Sequence, residues 1–573
     1  ATFNSASNVF VDLVTGAAGG QGCAGTPVGI SGAALNVTLT GGRGTTGNFN
    51  IASAYPDVRV RVRYPSTGSP SVTSCSTDNF SIRPSVFTVT STNANNNAAS
   101  GGTTIKTGAS FNLTAASVVG YNGTPTIDNT KVVGTPTAGT IAGSFGAAPS
   151  GTGTATGNSF TYSQAGNFGL NADAVRDTAF TNVDQAAGDC IASSTSNTLS
   201  GGKYGCWVGS TAIPQTTGSS GFGRFIPDNF GVAYTTTPVF GTACGTFTYV
   251  GTKFTYPSPV MTVTARNGAA LGNATTTNYS SVTASGAYMK LTTASLNQAP
   301  YNSQALRYPY FDALGGGATP ALDFSGLPAT TADPTIGTFT NGVGTLTFSS
   351  GTGLAFARSA TTPTAPFNAD IALRLNVIDT DGVTYASNPA SFGTATSGGG
   401  ISFSSGNAMR YGRLVIRNAN GSQLVPLLVR VEAQYWSGSP TNAFITNTLD
   451  NCTSIASANV AMSTYTANLS DSPTCETAIS GGGALSMGRK TLQLAAPGSG
   501  NNGSVILTVN LGAAASGSTC TTQGGAPGSA TTANSPHLQG NWTGANYDQN
   551  PAARATFGIS GGANEVIYVR ENY

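Results

Sequence analysis

Apolar and polar positions alternate with a period of two through much of this chain. Val58, Val60, Val62 and Tyr64 alternate with Arg59, Arg61 and Arg63, and Ile371, Leu373, Leu375 and Val377 alternate with Ala372, Arg374, Asn376 and Ile378. Successive side chains of a strand point to opposite faces, so each run predicts a strand with one buried side. Residues 414–417, 427–435, 504–511 and 566–570 are also short, apolar and rich in β-branched side chains. Asn122-Gly123, Asp381-Gly382 and Asn420-Gly421 fall between such runs and predict hairpin turns, because these residue types accept the positive φ that tight hairpins need. Helical spacing is nearly missing, and Gly or Pro interrupts almost every window. The pattern predicts an all-β fold of tandem Ig-like β-sandwiches with long Gly/Ser/Thr-rich loops.

A chain of 573 residues is too long for one hydrophobic core. A repeat suggests where it divides. Asp78-Asn79-Phe80 opens one module and Asp228-Asn229-Phe230 another. Phe111-Asn-Leu-Thr-Ala is answered by Met261-Thr-Val-Thr-Ala, and Gly120-Tyr-Asn-Gly by Thr277-Asn-Tyr279. Further on, Phe160-Thr-Tyr-Ser is answered by Thr345-Leu-Thr-Phe-Ser, and Phe168-Gly-Leu-Asn-Ala by Leu373-Arg-Leu-Asn-Val. Matches in the same order predict a duplicated sandwich. The expected division is an N-terminal β segment (1–77), module 1 (78–227), module 2 (228–395) and a C-terminal β domain (396–573).

Composition adds a compartment and removes several function classes. Charged residues are only 8% of the chain and the formal net charge is +2, while 39% is hydrophobic. Disordered chains combine high charge with low hydrophobicity, so this one is expected to fold with a polar, uncharged surface. A nucleic-acid partner needs a concentrated basic face, which the near-neutral balance argues against. No apolar run is long enough for a membrane-spanning helix. The opening Ala1-Thr-Phe3 suits an end left by signal cleavage. Eight scattered cysteines, with no CxxC pair and one histidine, point to disulfides and an oxidising compartment rather than zinc. The local pair Cys190–Cys206 and the pair Cys23–Cys75 are expected to bond, while Cys244, Cys452, Cys475 and Cys520 can combine in more than one way.

Few residues suggest chemistry. The lone His537 lies in a polar stretch without a nucleophile elbow and reads as a surface-loop histidine, so no enzyme is expected. Asp379 and Asp381 could offer oxygens to calcium, but Gly382 makes a turn the favoured reading. No cofactor is expected. Arg59, Arg61 and Arg63 share one strand face and could meet an anionic polysaccharide, although a solvated outer face explains them as well. Trp436 in Val431-Glu-Ala-Gln-Tyr-Trp could build a carbohydrate platform, but is expected in the core. Val9, Val11 and Leu13, with Val566 and Tyr568, are candidates for strands exchanged between subunits.

Several phrases resemble the C-terminal region of MshQ-type proteins, which belong to the mannose-sensitive haemagglutinin pilus system. They are Asp78-Asn-Phe-Ser-Ile-Arg-Pro84, Gly120-Tyr-Asn-Gly-Thr-Pro125, Asp177-Thr-Ala-Phe-Thr181, Gly202-Lys-Tyr-Gly-Cys206 and Gly223-Arg-Phe-Ile-Pro-Asp228. The second half adds Phe247-Thr-Tyr249, Arg410-Tyr-Gly-Arg-Leu414, Val431-Glu-Ala-Gln-Tyr-Trp436 and Arg554-Ala-Thr-Phe-Gly558. The resemblance runs in the family's order over roughly residues 75 to 573. It departs at Asn229, where many relatives carry His, and the laminin-G lectin domain of many such proteins is not seen. It implies a secreted or surface-exposed Gram-negative protein associated with pili. The expectation is therefore a non-catalytic structural or adhesive protein whose partners are copies of itself or pilus subunits. The alternative is a monomeric carbohydrate-binding adhesin whose partners are surface glycans.

Overall fold

The computed structural model describes residues 3–558, apart from 6–7, 66–68, 136, 216–220, 237–238, 257–259, 282–287, 293–309, 313–319, 327–333, 349, 393–399 and 442. It is a string of β units, and the one α-helix among the described residues is the short Asn182–Ala187. No helix is long and apolar enough to cross a membrane.

In the N-terminal unit, β1 (Val9–Ala17) lies between β2 (Gly25–Val37) and β3 (Tyr55–Tyr64). Leu13, Ile30, Ala33 and Val58 form its small core, and Cys23–Cys75 ties it. A core this small needs such a staple. Phe80–Ile82 pairs with β3, so this sheet reaches past residue 77.

Module 1 is two facing sheets. Phe111–Ala116 alternates buried and half-buried side chains and lies between Thr88–Thr90 and Thr154–Tyr162. Gly166–Leu170 and Phe222–Ile226 belong to the opposite sheet. Phe111, Phe160, Phe168 and Phe225 fill the space between them. Module 2 repeats the plan, with Val260–Arg266 between Asn229–Thr236 and Val343–Thr347. Ile371–Leu375 lies on the other side of a core holding Met261, Val263, Leu346 and Leu373. Phe111–Ala116 and Met261-Thr-Val-Thr-Ala265 fall on equivalent central strands, and Phe160-Thr-Tyr162 and Thr345-Leu-Thr347 on their neighbours, whereas Phe80–Ile82 joins the N-terminal sheet and the phrases at 120–123 and 277–279 lie in loops.

The C-terminal unit has one sheet of β4 (Gly412–Ile416), β5 (Leu427–Trp436), β6 (Phe444–Thr446) and β7 (Arg489–Leu494), with Ile479–Ser480 at its edge. The second sheet holds Gly503–Val509 and Ala552–Phe557. Ala408–Arg410 pairs with Phe247–Tyr249 and Phe367–Asn368, so module 2 extends beyond residue 395.

Two turn expectations need correction. Asn420-Gly421 lies in strand Ala419–Gly421, paired parallel with Ala555–Phe557, and is no hairpin. Asn122-Gly123 is loop rather than hairpin, and its glycine serves a close approach described below. Asp381-Gly382 does turn the chain, with Gly382 at φ +81° and Ile378 bridged to Thr384.

Candidate functional site

Three units share one buried device. A tyrosine hydroxyl donates to an aspartate whose other oxygen caps the turn following it. Tyr121 donates to Asp177 at 2.6 Å, and Asp177 accepts from the amides of Ala179 and Phe180. Tyr279 donates to Asp379 at 2.9 Å, and Asp379 accepts from the amides of Asp381 and Val383. Tyr249 donates to Asp450 at 2.9 Å, and Asp450 accepts from the amides of Cys452 and Thr453. Burial, then the adjacent carboxylate, pushes all three phenols well above their ordinary pKa, so each stays a donor. Gly123 lies against the first of these pairs; a Cβ there would sit 2.0 Å from the Asp177 carboxylate.

The second and third of these pairs stand beside the seams around module 2. At the seam of the two modules, the guanidinium of Arg224, 2% exposed, pairs with Asp381. Asn278 and Thr137 exchange hydrogen bonds at 3.0 Å, and Lys106 pairs with Asp228 at 3.5 Å. Asp379 and Asp381 are thus held by Tyr279, turn amides and Arg224, which fits the turn reading. Burial raises the pKa of Asp379 above the ordinary carboxylate value.

The junction of module 2 with the C-terminal unit is covalent. Cys244–Cys452 closes it, and Cys475–Cys520 staples the unit beyond, which resolves the four cysteines left open. Cys190–Cys206 and Cys23–Cys75 bond as expected. Asp450 lies beside the Cys244 and Cys452 sulfurs, but sulfurs joined to each other offer a metal no thiolate. Arg358 donates to the carbonyls of Tyr547 (2.7 Å) and Gln539 (2.8 Å) and lies over the Tyr411 ring. A cavity of about 280 Å³ opens here between Tyr249, Thr252, Ser535 and His537.

His537 is not in a surface loop. It sits in the short 3₁₀ turn Pro536–Leu538 with its ring 5.5 Å from that of Tyr249. Burial, then the nearby Arg358 charge, lowers its pKa to about 3, so the imidazole is neutral.

The three arginines of β3 do not form a free solvated face. Arg61 and Arg63 pair with Asp12, while Arg59 donates to the carbonyls of Ala17, Ser76 and Thr77. Val9, Val11 and Leu13 are also placed differently: they lie in β1, an interior strand, where Val9 and Val11 pair with Val37 and Leu35 of β2, and Val11 and Leu13 with Val62 and Val60 of β3. Val566 and Tyr568 lie outside the described residues. Trp436 is half-buried on the outer side of β5, its ring 5.4 Å from that of Phe444. The long strand β2 was not singled out by sequence, because its Gly- and Ala-rich run lacks alternation.

These features define a class: a serial array of disulfide-stapled β-sandwiches locked at their seams by buried polar and aromatic contacts. Residues 198–400 match the family model described as DUF6701, third domain, and residues 410–572 match DUF6701, fourth domain. The two stretches are therefore similar to consecutive domains of one family, the third-domain match starting ahead of the last strands of module 1. No curated protein and no solved structure matches the chain.

Proposed function

We propose that this protein is a non-catalytic, extracellular structural subunit that assembles edge to edge with copies of itself in a bacterial surface filament or pilus-associated structure. One observation carries this reading. The thirteen-residue strand β2 ends its sheet, paired only with β1, and no backbone hydrogen bond joins its outer edge to another described segment. From Val28 to Val37 it holds no charge and no proline, two devices that blunt an edge, and its register is broken only by a bulge between Gly29 and Ala34. An edge free of charge and proline, as over Ala34–Val37, accepts a strand from another chain. Residues 566–570 have a strand-like sequence and are a candidate donor. Four disulfides suit an oxidising, extracellular setting. The resemblance to MshQ-type proteins supports placement with a pilus system.

The test is electron microscopy of the native protein over a concentration series, beside a Ser31→Lys/Asn36→Lys variant that charges two exposed positions of β2. Fibres from the wild type and single particles from the variant, with equal melting temperatures, are expected. Single wild-type particles at every concentration would sink the reading, and fibres unaffected by the lysines would remove β2 as the contact.

A further inference from the structure

The outer face of the sheet formed by β4, β5, β6 and β7 carries groups that its own fold does not require. Register places Arg413 and Thr446 on either side of Gln434, Arg489 beside Glu432, and Phe444 beside Trp436. Arg430 lies opposite Thr491, and the Arg417 amide donates to the Arg430 carbonyl. Four arginines thus share the face with a single carboxylate, Glu432, an excess of three positive charges. The whole chain has a net charge of only +2. The face alone therefore exceeds the net charge of the chain.

The face has two ends of different character. At one end the guanidinium of Arg413 lies 3.8 Å from the centre of the Phe444 ring and 5.2 Å from Trp542, which is 38% exposed. At the other end Arg417 and Arg430 border a cavity of about 390 Å³ with Asn418, Asn420 and Thr491. Arg417 and Arg489 bridge to Glu432 yet leave more than half of their side chains in solvent. Trp436 and Arg430 lie six positions apart on β5, a span of roughly 20 Å.

We infer that this face binds an acidic polysaccharide. Guanidinium forks match carboxylates in pairs of parallel hydrogen bonds. Asn418, Asn420 and Thr491 supply donors and acceptors for hydroxyls, and an exposed indole offers a flat surface to the apolar side of a sugar ring. Glu432, in the middle of the face, is buried with its oxygens taken by Thr446, Arg489 and Arg417, so it holds the arginines in place, and the near-neutral chain lacks the long basic face that a continuous phosphate backbone needs. The inference stands apart from self-assembly, because β2 lies in a different unit.

The experiment measures retention of the full chain on immobilised alginate, a polyuronate, against neutral dextran and double-stranded DNA. It uses the Ser31→Lys/Asn36→Lys background so that assembly adds no avidity. Salt-sensitive retention on alginate and none on dextran is expected. Arg417→Gln/Arg430→Gln and Trp542→Ala should each weaken binding roughly tenfold with unchanged melting temperature. No retention on alginate overturns the inference. So does DNA binding of equal strength that Trp542→Ala leaves untouched, which would reduce the face to general attraction of polyanions.

Discussion

The two seams around module 2 are held by different physics. Against module 1 the contacts are an ion pair with both partners largely buried, a more exposed one, and amide–hydroxyl hydrogen bonds. Against the C-terminal unit they are a disulfide, the Tyr249–Asp450 hydrogen bond and arginine stacked on tyrosine. A buried ion pair stabilises only while both partners remain, whereas a cross-link acts mainly by restricting the unfolded chain. The first seam is therefore sensitive to single substitutions, and the second to redox conditions.

Acid separates them further. Asp379 has a folded pKa above its unfolded value, so it opposes folding as pH rises through that interval and is relieved on acidification. His537 has a folded pKa of about 3, below its ordinary 6.5. Its neutral form is the one that packs, so stability is full above 6.5 and is lost as pH falls toward 3.

The largest expected effect is at the first seam. Arg224→Met strands the Asp381 carboxylate and should cost about 3–5 kcal/mol in module unfolding, followed by calorimetry. A loss no larger than that from removing an exposed pair would erase the contrast between the seams. Next, Cys244→Ser/Cys452→Ser should cost about 2–4 kcal/mol, seen as a lower midpoint in urea for the C-terminal unit. The Arg224 variant should leave that midpoint unmoved. The smallest effect is the most selective. Between pH 7 and pH 5 the junction should lose about 1–2 kcal/mol through His537, and His537→Gln should flatten that part of the pH profile.

The strands were readable from sequence because burial on one side imposes a period of two, as in β3 and Ile371–Leu375. The repeat was readable because equivalent core positions keep their residue types in order. Two disulfides followed from proximity in sequence or from unit membership. The seams were not readable. Arg224 sits among apolar residues of a strand, and only the packed structure shows Asp381, 157 positions away, as its partner. The phrases Asp177-Thr-Ala-Phe and Phe247-Thr-Tyr were visible as phrases, but Tyr249 meets Asp450 across 201 positions, and no local period encodes such a meeting. His537 looked like a loop residue because its neighbours are polar, while its actual surroundings come from another part of the chain. The arginine face stayed hidden for the same reason: Arg413, Arg430 and Arg489 belong to three strands joined only by register.

The Cys244–Cys452 bond joins residues 208 positions apart, and this has a mechanical meaning. Tension entering the array from one end travels along the covalent path of least length. At Cys244 that path crosses the sulfurs to Cys452 and never enters the loop between them. Most of module 2 is thus carried as slack, sheltered from load, and a pull that unravels module 1 would pass it by while leaving it attached. A chain built this way has a weak element that can yield and a neighbour that cannot be drawn out unless its disulfide is reduced.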